Sequence, residues 1–140
     1  KQDIEKHANH INKKMSIGES SRSLKINNNY GLRVLDKNNE EIATSSMGNQ
    51  IIALSLLHGL KEATGKQGPL VVDTPLARAD EDHSISVLNA YTLMSDQVIL
   101  LVTGKEVPKD SPYEKAIADQ VGKWYEINRI QDEESEIIEI

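Results

Sequence analysis

Cysteine is missing from all 140 residues of the chain. That excludes disulfides, thiolate metal sites and a cysteine nucleophile, and it fits a cytosolic chain. Long apolar runs are missing too. The longest, Val98 to Val102, falls far short of the roughly 18 residues that a membrane span needs and suits a buried strand. No charged-then-apolar signal opens the sequence, and no internal repeat or low-complexity tract appears. What remains is 38% hydrophobic and 27% charged, the balance of a folded domain and not of a disordered tail or a membrane protein. A chain of this length forms one domain with one core. It starts at Lys1 inside an expected helix, which points to the tail of a longer polypeptide.

Charge is unevenly placed. Residues 1–67 carry 10 Lys/Arg against 7 Asp/Glu, net +3, and residues 68–140 carry 6 against 15, net −9. The acidic half is a poor nucleic-acid surface by itself, which leaves DNA contact to a larger assembly.

Periodicity places the elements. Ile4, Ala8, Ile11 and Met15 fall on one helical stripe over 1–15, a pattern that fits both the end of a coiled-coil arm and an amphipathic surface helix. Leu24 to Asn27 and Tyr30 to Asp36 alternate as a strand pair, and Glu41 to Thr44 reads as a third short strand. Ser45-Ser46 offers N-cap chemistry to a long helix carrying Ile51, Ile52, Leu54, Leu56, Leu57 and Leu60, expected to be well buried and to run to Thr64-Gly65. Pro69 to Asp73 and Gln97 to Val102 are continuous apolar strands on either side of a helix over 82–93, with Ile85, Leu88 and Tyr91 or Leu93 inward. Tyr113 to Val121 reads as a short helix; Trp124 to Ile130 and Glu136 to Ile140 read as edge strands. The expected class is α/β with a mostly parallel sheet covered on both faces.

The segment Gly68 to Asp80, GPLVVDTPLARAD, carries the most chemistry. A buried strand ending in Asp73 can present a carboxylate to Mg²⁺ at the sheet's C-terminal edge, where ligands bind in such sheets. It equally fits an Asp that caps the turn before Pro75. Its company is informative: Ser45-Ser-Met-Gly-Asn-Gln50 opens a helix upstream, Leu76-Ala-Arg-Ala-Asp80 follows, and Thr103-Gly104 ends the next apolar strand.

In order and spacing this resembles the C-terminal lobe of an ATP-binding-cassette (ABC) ATPase, a P-loop NTPase. Within that class it is similar to the SMC-like branch and to the DndD-type ATPases of bacterial DNA phosphorothioation and related phage-defence systems. The matching text is Asn27-Asn-Asn-Tyr-Gly-Leu32, Gln50-Ile-Ile-Ala-Leu-Ser-Leu-Leu57, Asp73-Thr-Pro-Leu76 with Arg78 and Asp80, His83, and Gln97-Val-Ile-Leu-Leu101.

The resemblance implies an arm end at 1–15 and a C-terminal head lobe at 16–140. It implies ATP and Mg²⁺ as cofactors, with Asp73 as the acid that organises the metal. Ser46 and Gly48, or Ser45 through Asn49 to Gln50 in the other register, would form a signature motif that contacts ATP held by the opposite subunit. Asp80 would lie in the loop that communicates across the dimer, and Thr103 would stand where relatives sense the γ-phosphate. The implied partners are an N-terminal lobe, a second copy joined through ATP, DNA through the assembly, and other defence-system subunits, with no membrane and a cytoplasmic location. A helix N-terminus suits the signature role through its open N–H groups and positive dipole end.

The sequence also departs from the pattern. Anchoring on Ser46 and Gly48 leaves the motif one residue short of Gln50, whereas anchoring on Ser45 and Gln50 puts Met47 at the usual glycine, and both registers stay open. Thr74 stands where a catalytic Glu is usual, and Thr is no general base at pH 7, which leaves slow hydrolysis or help from Asp80, Asp82 or His83. No G-x-x-x-x-G-K-[ST] loop occurs, and the resemblance implies that the phosphate cradle lies in an N-terminal lobe. The residues carry two main readings: an ATPase part that couples ATP to DNA engagement, and an ATP-dependent clamp with little turnover. An unrelated α/β domain with a phosphate site is a third. His83 fits both a nucleotide contact and a helix-start surface residue. His58 reads as a core residue.

Overall fold

The computed structural model describes residues 1–16, 22–76 and 81–140, with the backbone alone described at Glu81. Its elements run α1 (Gln2–Met15), β1 (Ser23–Ile26), β2 (Leu32–Leu35), α2 (Ser46–Thr64), β3 (Leu70–Asp73), α3 (Glu81–Tyr91), β4 (Val98–Leu101), α4 (Pro112–Ile117) with a following turn of 3₁₀-helix (Ala118–Gln120), β5 (Tyr125–Gln131) and β6 (Glu134–Glu139). The strand expected over Glu41 to Thr44 is reduced to a single bridge between Leu35 and Glu41.

The punctuation is local chemistry. Ser45 is the N-cap of α2, its Oγ accepting from the Gly48 N–H at 3.0 Å. Gly65 closes the helix in the left-handed conformation at φ 64°, where a Cβ would be strained. Ser111 caps α4 in the same way as Ser45, with Pro112 at the first helical position.

Strand pairing corrects one expectation. β3 and β4 do pair in parallel, Leu70 beside Val98 through Asp73 beside Leu101. The other pairs among the described residues, β1–β2 and β5–β6, are antiparallel. The reason is connection length: α3 provides the crossover that a parallel pair requires, whereas short turns allow only hairpins.

α1 docks on α2 and touches α3 and β1. Ala8, Ile11 and Met15 are fully buried. The helices approach closely at Gly59, where a Cβ would lie 2.5 Å from the Ile4 carbonyl oxygen and 3.0 Å from Ala8 Cβ. A buried polar contact sits farther along, with Asn12 Nδ2 donating to Ser55 Oγ at 3.3 Å and Ser55 Oγ donating to the Ile51 carbonyl at 2.7 Å. The polar flank of α1 serves β1: Asn9 Nδ2 donates to the Leu24 carbonyl at 2.9 Å, Asn9 Oδ1 accepts from the Leu24 N–H at 2.7 Å, and Glu5 Oε1 accepts from the Ile26 N–H at 2.7 Å. Two side chains one helical turn apart thus satisfy alternate residues of an edge strand that would otherwise offer unpaired backbone groups.

The main core joins Ile11 and Met15 of α1, Ile51 of α2, and Val87, Leu88 and Tyr91 of α3. Leu70, Val72, Val98 and Leu100 pack against it from one face of the parallel pair. The other face is not covered. Val71, Ile99 and Leu101 are 57%, 41% and 43% exposed, against the expectation of cover on both sides. Strands with apolar residues on both faces need two covering layers, and the described residues provide one. Leu57 and Leu60 of α2 are also about half exposed, and Leu93 turns outward while Tyr91 is buried. The β5–β6 hairpin leaves Tyr125, Ile127, Ile130 and Ile137 in solvent. Among the described residues no helix is long and apolar enough to cross a membrane.

Candidate functional site

The parallel register brings the ends of β3 and β4 together. Asp73 closes β3, is exposed, and lies on the open face with Val71 and Leu101. Thr74 continues the ladder, its N–H donating to the Leu101 carbonyl at 2.9 Å. Its backbone then turns to φ 53°. Positive φ is costly for a β-branched residue, on the order of 1–3 kcal/mol, and such strain collects at functional edges. Thr74 Oγ1 donates to Asp73 Oδ1 at 3.0 Å, which helps orient the carboxylate.

Two side chains hold the loop beyond. Gln50 Nε2 donates to the Pro75 carbonyl at 3.0 Å and ties the first turns of α2 to the residues after Asp73. Glu106 Oε1 accepts from the Leu76 N–H at 3.1 Å, and its Oε2 accepts from both the N–H and the Oγ1 of Thr103, each at 3.1 Å. Asp73, Thr74, Gln50 and Thr103 therefore belong to one sheet edge. Asp80, with Arg78 and Ala79, lies outside the described residues. His83, near the start of α3, is half-buried.

At the start of α2, Ser46 and Asn49 are exposed and Gly48 is half-buried. Thr44 Oγ1 donates to Asn49 Oδ1, fixing that side chain against the strand side of the cap. Ser45 Oγ accepts from its own helix, so its proton remains a donor. A Cβ at Gly48 would come within 3.3 Å of Ser45 Oγ and Thr44 Cβ, and 3.9 Å from Arg22 Nη1. No acidic residue occupies the first turn, so the positive end of the helix dipole is not offset there.

The donor set suits a nucleotide-bound hard cation better than a protein-built metal centre. Among the described residues no three His, Asp or Glu side chains gather closely enough to hold a metal ion. One exposed carboxylate on a sheet edge matches Mg²⁺, which keeps waters and takes phosphate oxygens as further ligands. His58 of α2 is buried, with its Nδ1 unpartnered among the described residues. Burial lowers its pKa from the ordinary value of 6.5; Glu62 and a hydrogen bond with the Met94 backbone oppose this, and His7 and Lys61 add to it. It packs in the core, as its sequence position suggested.

Glu106 belongs to none of the nucleotide-site motifs in the sequence. Its signal was legible: Thr103-Gly-Lys-Glu106 is a Thr-x-x-Glu string, in which the Glu reaches back to the Thr N–H as in a helix capping box.

Comparison with known proteins bears on the fold. One solved structure, from work on the structural biochemistry of ATP-driven dimerization and DNA-stimulated activation of SMC ATPases, superposes with a TM-score of 0.70. It is 17% identical, and the match covers 99% of this chain and 84% of that one. A second, the crystal structure of the SmcHead bound to the C-winged helix domain of ScpA, gives a TM-score of 0.70 at 16% identity, covering 99% of this chain and 42% of that one. At these identities the likeness establishes the fold: this chain is folded like part of an SMC ATPase head. No protein-family model matches the sequence, and no curated protein does.

Proposed function

We propose that this chain is the C-terminal half of an SMC-like ATPase head, which binds ATP and Mg²⁺ between two heads and couples that binding to DNA engagement. The observation that carries the reading is the single edge where Asp73 and Thr103 meet while Gln50 ties in the capped N-terminus of α2. That edge lies in a fold shared with SMC ATPase heads. Asp73 would hold the Mg²⁺, and the metal would neutralise phosphate charge. Ser45, Ser46, Gly48 and Asn49 would meet phosphate oxygens of a nucleotide carried by the opposite head.

The uncovered face of β3–β4 and the bare β5–β6 hairpin support a further lobe as partner. An N-terminal lobe with the phosphate loop would cover Val71, Ile99 and Leu101 and complete the sheet. α1 would end an arm whose last turns are knitted to β1 by Glu5 and Asn9. The finer placing among DndD-type ATPases rests on the Asp73-Thr-Pro-Leu-Ala-Arg-Ala-Asp80 string, and would add the subunits of a DNA-modification or phage-defence system as partners.

A second reading, an ATP-dependent clamp with little hydrolysis, draws on Thr74, which offers no base at the position beside Asp73.

The test uses the full-length protein. Asp73→Asn should cut Mg²⁺-dependent ATP turnover by at least about a hundredfold, the scale of losing one group that stabilises transition-state charge, or abolish tight MgATP binding. Unchanged turnover and affinity would remove Asp73 from the site. Wild-type turnover measured with and without DNA separates the two readings: a clamp binds MgATP tightly and turns over at the same low rate in both.

A further inference from the structure

We infer that Glu106 is the positioning residue of the β3–β4 edge: one carboxylate clamps the loop after Asp73 to the end of β4. The inference rests on the nucleotide-site reading for its functional consequence, but not for the clamp itself.

Three observations converge on this side chain. Locally, the turn after β4 is closed by the Glu106 and Val107 N–H groups donating to the Thr103 carbonyl at 3.0 and 3.1 Å. This turn aims the Glu106 carboxylate back at Thr103, and Oε2 takes both the N–H and the hydroxyl of that residue. At longer range, Oε1 reaches 30 residues back in sequence to the Leu76 N–H. The buried Tyr91 phenol, whose hydroxyl has no hydrogen-bond partner among the described residues, lies within electrostatic reach of this carboxylate. Burial first, and the Glu106 charge second, keep that phenol protonated well above its ordinary range. Glu106 thus uses both of its oxygens on the two strand ends.

The consequence follows from what the loop carries. Residues 74–76 are held at three points: by the Leu101 carbonyl on the Thr74 N–H, by Gln50 on the Pro75 carbonyl, and by Glu106 on the Leu76 N–H. Among the described residues, only the Glu106 contact links this loop to Thr103, the residue proposed to face the terminal phosphate. Removing it frees the separation between the metal-holding and phosphate-facing sides, while the core under β3 and β4 stays packed. Catalytic geometry tolerates little such freedom.

Amide hydrogen exchange on the full-length protein, read at Leu76 and Thr103, tests the clamp directly, with MgATP kinetics alongside. Glu106→Ala should speed exchange at both amides by roughly three- to tenfold, the factor that one ordinary hydrogen bond supplies. Thr103→Ala loses only the hydroxyl contact and should leave Leu76 exchanging at the wild-type rate. In turnover, Glu106→Ala should lower kcat while KM for ATP stays within about twofold, as for an interaction that matters in the transition state and not in ground-state binding. If Glu106→Ala fails to fold, Glu106→Asp serves: one methylene shorter, it can serve Thr103 but not reach Leu76, and Leu76 should still exchange faster. Exchange at Leu76 unchanged in a folded variant overturns the clamp. Faster exchange spread evenly along the chain also overturns it, because that is a general loss of stability. A wild-type protein that neither binds nor hydrolyses MgATP rejects the nucleotide-site reading, and the exchange result still decides the clamp.

Discussion

Thr74 occupies the most strained place in the candidate site, and it does so beside the carboxylate it helps orient. The sequence flagged it for lacking a base; only the backbone angle reveals the strain. His58 makes a second point at this scale. Its imidazole is buried, and its depressed pKa means that the unfolded chain takes up a proton at higher pH than the folded one. The sign follows directly: the stabilising contribution of neutral His58 is complete above the unfolded value of about 6.5 and is lost as pH falls below it. Urea midpoints measured from pH 7.5 to 5 should therefore decline in that window. In His58→Leu the decline should be shallower, and an equal decline in both proteins would exclude His58 as its source.

Helix packing decides the next scale. Gly59 looks like a weak point in a long helix, since Ala there would gain about 1 kcal/mol of helix propensity. The packing argues the reverse. A methyl group 2.5 Å from the Ile4 carbonyl forces α1 away from α2, and overpacking of that kind costs about 1–3 kcal/mol. The backbone oxygen cannot rotate aside as a side chain would, so the steric term wins. Gly59→Ala should lower the unfolding free energy in urea; a gain in stability would show that α1 stands farther off than described. In the same interface Asn12 donates a hydrogen bond to Ser55 inside an apolar seam, which favours one register of the two helices over its neighbours.

At the scale of the whole molecule, the parallel pair exposes one apolar face. An open α2 N-terminus with no phosphate loop in this chain makes sense if the anion arrives on another subunit. Gly48→Arg tests this. The added side chain starts beside Ser45 and Thr44, near the Arg22 guanidinium and on the same helix face as Ile51 and Ile52, so a wild-type urea midpoint is the first requirement of the variant. The folded full-length variant should bind ATP as a monomer, yet fail to dimerise with ATP and Mg²⁺ in sedimentation. A variant that still dimerises would exclude the trans role and favour the register with Met47 at the signature glycine.

What the sequence determined alone is local. The Ser45 cap, the Gly65 stop, the two apolar strands and the helical stripe of α1 each follow from residues within a few positions of one another, where periodicity and capping act. The order of Ser45–Gln50, Asp73 and Thr103 was also legible, because chain order survives in any fold. Tertiary structure decided which sheet face stays open, since apolar residues on both faces of β3 and β4 look alike until a covering layer is present or absent. It also decided that Gln50 reaches Pro75 across 25 residues and Glu106 reaches Leu76 across 30. Such contacts leave no periodic trace, because a hydrogen bond between distant segments constrains two residues and nothing between them.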